Sequence, residues 1–68
     1  LTNNKTLVII NVWNQTPLRF LEMGFQTGTH LEISHQNFFL NVMILTFRGA
    51  KYYMRITDFN NYFTVKEV

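Results

Sequence analysis

Two stretches of this chain alternate with a strict period of two. Residues 30–34 (HLEIS) set Leu31 and Ile33 on one side and His30, Glu32 and Ser34 on the other. Residues 51–57 (KYYMRIT) set Tyr52, Met54 and Ile56 against Lys51, Tyr53, Arg55 and Thr57. That period belongs to strands with one buried face. Residues 7–13 (LVIINVW) and 38–47 are apolar on both faces, the pattern of buried or central strands. Residues 62–68 (YFTVKEV) supply a fifth strand.

Between these runs stand stop and turn signals. Asn14 and Gln15 end the first strand. Thr16 is the expected N-cap of a short helix with Pro17 at its first position, and Gly24 its left-handed stop. Leu18 and Leu21 then share a face that Phe25 continues, over residues 18–23. Gly28 makes a turn, residues 35–37 a polar loop, and Arg48-Gly49 a hairpin. Residues 58–61 read as a turn or a single helical turn. The expected fold is mainly β: about five antiparallel strands with one short helix after the first. In so small a chain such strands hide their edges only by curling into a barrel.

The 68 residues make one domain, spanning positions 1–68. A domain of this size hides only about 60% of its unfolded surface, so its apolar residues must be large. Seven Phe, three Tyr and one Trp meet that need, and they rule out a disordered chain. Cysteine is absent, which removes disulfides and thiolate chemistry and fits a reducing compartment. The longest apolar run is about half of what a membrane-spanning helix requires. The first residues lack the basic-then-apolar pattern of a leader. A cytoplasmic location without direct membrane insertion is the expectation.

Chemistry has few candidates. His30, Glu32 and His35 are near one another in sequence, but a metal site usually needs three or four converging ligands, so no bound metal is expected. There is one Ser, four acids, no Gly-x-Ser-x-Gly and no Walker loop. Neither catalysis nor a cofactor is expected. The net charge is +2, and Arg48, Lys51 and Arg55 cluster. Three cations can steer an acidic partner, but they are few for a nucleic acid, where affinity grows with the number of phosphate contacts.

Residues 18–33 (LRFLEMGFQTGTHLEI) and 44–68 (ILTFRGAKYYMRITDFNNYFTVKEV) together resemble the FeoA family, the small cytoplasmic component of bacterial ferrous-iron uptake. Leu21, Glu22, Met23, Gly24, Phe25, Gly28, Thr29, Leu31 and Ile33 match that family's first motif. Arg48, Gly49, Met54, Arg55, Asp58 and Val65 match its second. The order and spacing hold over roughly residues 17–68. In this chain the leading Arg pair of the family's helix is reduced to Arg19, followed by Phe20.

The resemblance implies an SH3-like barrel and a non-enzymatic accessory role, by contact with the FeoB permease and its GTPase domain. Two surfaces are candidates for that contact. One is the face of Lys51, Tyr53 and Arg55 with Arg48 beside it, since Arg and aromatic side chains are enriched at binding hot spots. The other is the helix and its exit, from Arg19 to Phe25, with Phe20 expected to be exposed. Two other classes fit a small barrel. One is the C-terminal SH3-like domain of a metal-dependent repressor of the diphtheria-toxin-repressor type. The other is a nucleic-acid-binding barrel.

Overall fold

The computed structural model of the protein describes residues 5–68. Five strands form one antiparallel sheet. In chain order the elements are β1 (Lys5–Val12), α1 (Leu18–Met23), β2 (His30–Asn37), β3 (Val42–Phe47), β4 (Ala50–Arg55), α2 (Ile56–Tyr62) and β5 (Phe63–Glu67). Across the sheet the order is β4-β3-β2-β1-β5. The expected mainly β class and its five antiparallel strands are therefore present. No ladder joins the edge strands β4 and β5 among the described residues. They are instead linked end to end by α2, whose seven residues span about 10 Å. A sheet whose two edges are connected by so short a helix has to curl.

The alternating runs place the core. Leu31 and Ile33 of β2, Leu7 and Ile9 of β1, and Met43, Leu45 and Phe47 of β3 all point to one side and are buried. Phe20, Phe25, Ile56, Phe59 and Phe63 close over them. Each such side chain contributes roughly 1.5–3 kcal/mol on burial. Phe25 is the hub. Its ring lies 4.6 Å from that of Phe47, 5.8 Å from those of Tyr52 and Phe63, and 6.0 Å from that of Phe20. Two bulges adjust the sheet. One falls between Ile9 and Asn11, which turns Ile10 outward. The other falls between Ile33 and His35, where the Ser34 hydroxyl donates to the Ile44 carbonyl.

A second helix, α2, stands where the sequence predicts the end of one strand (56–57), a turn (58–61) and the start of the next strand (62), and four other expectations need correction. Thr16 does not cap α1. Pro17 occupies the cap position with extended ψ, and the Thr16 hydroxyl donates instead to the Tyr62 carbonyl at 3.0 Å. Leu18 and Leu21 do not face the core. They are exposed, and Phe20 is the residue α1 buries, because the ring cluster lies on that side. Residues 35–37 are not a loop but the end of β2. Residues 38–47 are not one strand: residues 38–41 turn the chain, and β3 starts at Val42. Arg48 (φ 53°) and Gly49 (φ 79°) form the two-residue hairpin that the sequence indicates. Both take positive φ, as a type I′ turn requires.

The turn over residues 38–41 is fixed by two asparagines. Asn37 Oδ1 accepts from the Leu40 N–H at 3.1 Å. Asn41 adopts φ 56°, a conformation that Asn tolerates better than most residues. There it stands in for the missing cap of α2. Its carbonyl accepts from the Ile56 N–H at 3.2 Å and its Oδ1 from the Thr57 N–H at 3.1 Å. Its Nδ2 donates to the Thr57 hydroxyl at 3.0 Å. No side chain of the residue preceding α2 does this work. A helix this short depends on such a partner for its first N–H groups.

Two stability series follow from these geometries. Asn41→Ala removes a cap acceptor and strains φ, and should cost about 1–2 kcal/mol in urea unfolding. Asn41→Gly, which relieves only the strain, should cost less. Gly24 (φ 109°) and Gly28 (φ 93°) both hold positive φ, but only a Cβ at Gly24 meets a neighbour, Phe47 Cζ at 3.2 Å. Gly24→Ala should therefore destabilise by about 2–3 kcal/mol and Gly28→Ala by about 1–2.

Candidate functional site: a groove between α1, β4 and α2

The two surfaces that the sequence offers as alternatives meet in one open groove of about 360 Å³. Tyr53 and Arg55 reach it from β4. They share the outward face because Tyr52 and Met54 alternate with them inward. Arg19 reaches it from α1. Asp58 and Tyr62 reach it from α2, one helical turn apart, and Val42 joins from the start of β3, opposite Arg55 in the ladder. Phe20 and Met54 form its floor.

The charges in the groove are unequally engaged. Arg55 Nε lies 3.3 Å from Asp58 Oδ2, an exposed i,i+3 pair worth little by itself. Arg19 makes no ion pair among the described residues. Its guanidinium lies 4.8 Å from the centroid of the Phe20 ring, a cation–π contact that holds it at the groove's edge. Tyr53 is 71% exposed. The groove thus presents two guanidiniums and two phenols around an apolar floor, with one carboxylate. Such a set can bind and orient a partner.

The other predicted residues lie elsewhere. Phe20 is not the exposed apolar contact expected of it, since it is buried against Tyr62 and Phe63 at centroid distances of 5.7 and 6.1 Å. Arg48 sits at the β3–β4 turn, its guanidinium 5.0 Å from the Phe47 ring centroid. Lys51 stands at the far end of β4 from Arg55, on the order of 13 Å away along the strand. Neither lines the groove. His30 and Glu32 are exposed side by side on the outer face of β2, and His35 follows the bulge. Among the described residues no three His, Cys, Asp or Glu side chains come close enough to hold a metal ion. No helix there is long and apolar enough to cross a membrane.

Sequence reasoning missed Tyr62, Asp58 and Val42 as groove residues. The sequence pattern puts Tyr62 in the last strand, whereas it ends α2, and only the helical spacing of Asp58 and Tyr62 joins them. The motif Gly24-x-x-x-Gly28-Thr29 also gains a physical account. The Thr29 hydroxyl donates to the Gly24 carbonyl at 2.9 Å and accepts from the Gln26 N–H at 3.3 Å, which closes the loop after α1. Comparison with protein-family models, with curated proteins and with solved structures found no match for this chain.

The burial of Phe20 has a direct check. Phe20→Ala should destabilise the domain by about 3–4 kcal/mol in chemical unfolding. Leu18→Ala, on the solvent side of the same helix, should stay within about 0.5 kcal/mol of the parent. Equal effects would place α1 the other way round.

Proposed function

We propose that the chain is a non-enzymatic accessory module that works by protein–protein contact, and that its partner is a FeoB-type ferrous-iron permease. The observation that carries the contact reading is the convergence of Arg19, Tyr53 and Arg55 on one open groove. Arg and Tyr at a partly apolar recess are the residue types that dominate binding energy at interfaces. The iron assignment rests on the resemblance of residues 18–33 and 44–68 to FeoA-like sequences. The module would act by shifting a conformational equilibrium of the permease, binding one of its states more tightly than the other. Nucleic acid is the less favoured partner, because Asp58 offsets part of the groove's positive charge beside Arg55. A repressor-domain reading gains nothing specific from the groove.

Binding kinetics with the purified permease test this. Arg19→Glu combined with Arg55→Glu should slow association about tenfold at low salt, with the deficit shrinking as salt rises. Tyr53→Ala should instead raise the dissociation rate. Lys51→Glu, outside the groove, should leave both rates near the parent values. Loss of binding on Lys51→Glu with none from the groove variants would move the contact to the far end of β4. No binding by the parent chain would sink the permease assignment.

A further inference from the structure

The hairpin between β2 and β3 ends in three large apolar side chains that no other described residue covers. Phe38, Phe39 and Leu40 are 73%, 103% and 69% exposed. The backbone of the tip is held at both ends. Asn37 holds the turn from within, and Asn41 ties it to the start of α2. The result is an apolar knob at the tip of the hairpin.

Next to the knob is a hole. A partly open cavity of about 190 Å³ has Leu7, Ile33, Met43 and Phe59 in its floor, and Phe38 itself forms one wall. A cavity of about 150 Å³ lined by such side chains is large enough to take up benzene. A phenyl ring therefore fits. The chain's own Phe39 does not occupy it, since that residue is fully exposed.

A knob and a hole on adjoining parts of one surface are what a two-fold pairing needs, because each copy then offers its knob to the other's hole. We infer that this end of the domain binds a second copy of the chain, with the Phe39 ring of each entering the apolar cavity of the other. The rim charges agree. Lys5 and Glu67 both border the cavity, so a two-fold axis can set Lys5 of one copy against the partner's Glu67. One cation balanced by one anion is a poor match to an anionic lipid surface, which favours a cluster of basic residues. The area fits a weak dimer. The knob presents on the order of 450 Å² per copy, so two knobs with the cavity rims bury about 1,000 Å², the lower bound for a specific interface. This reading does not depend on the permease assignment.

Analytical ultracentrifugation of the purified chain over a concentration series tests it. The parent should show a monomer–dimer equilibrium, with dimer populated below millimolar concentration. Phe39→Ser should weaken it about tenfold or more, Leu40→Ser should weaken it too, and Leu18→Ser, exposed on α1, should leave it unchanged. Side-chain NMR shifts of Met43 and Val65, at the cavity, should move with concentration in the parent and stay fixed in Phe39→Ser. A single monomeric species up to millimolar concentration overturns the inference. Equal losses from Leu18→Ser and Phe39→Ser, or concentration-dependent shifts confined to other surfaces, overturn it as well. So does a monomeric parent that sediments with phosphatidylserine vesicles and loses that binding on Phe39→Ser, since lipid would then be what covers the knob.

Discussion

The packing of Phe25 is the constraint on which the rest of this fold depends. A domain of this size without cysteine, and so without a disulfide, has to draw its stability from large side chains. Phe25 is 1% exposed and joins rings from α1, β3, β4 and β5. It can reach that position because the chain leaves α1 through Gly24 with positive φ and returns to β2 by way of the loop that Thr29 closes. Phe20 is drawn into the core by the same cluster, and Arg19 is thereby left at the groove's edge. The site and the core are therefore one packing problem.

Much of this was legible in the sequence, for reasons that can be stated residue by residue. Alternation assigned the faces of β2 and β4 correctly, because a strand in a half-covered sheet has a buried side and a wet side and little else. Gly24 and Arg48-Gly49 were legible because positive φ is costly for most residues and short turns demand it. The faces of α1 were not legible. A six-residue helix offers too few positions for a period to show, and its burial was decided by rings far away in sequence. The tip at residues 38–40 was hidden because apolar content reads as strand. The signal against that reading was the pair Asn37 and Asn41 on either side, both turn formers.

The candidate groove was legible only in pieces. Tyr53 and Arg55 could be paired by period, and Arg19 could be placed on a helix. That the two would face each other is a property of how the sheet curls and of where α2 sits between its edges. No local pattern encodes it. Likewise, the division of the basic cluster, with Arg55 in the groove and Arg48 and Lys51 away from it, follows from the length of β4 rather than from charge.

The pairing of β1 with β5 has a consequence for how the chain comes to be folded. Val8 lies opposite Lys66, Trp13 bonds Tyr62 and Thr64, and the Val68 N–H reaches the Thr6 carbonyl, so the seam joins opposite ends of the described chain. Contacts that distant form late and slow folding, because a long loop must be closed first. Until β5 docks, β1 has only β2 beside it. One edge of β1, an interior strand of the sheet, therefore stays unpaired until the β1–β5 seam forms.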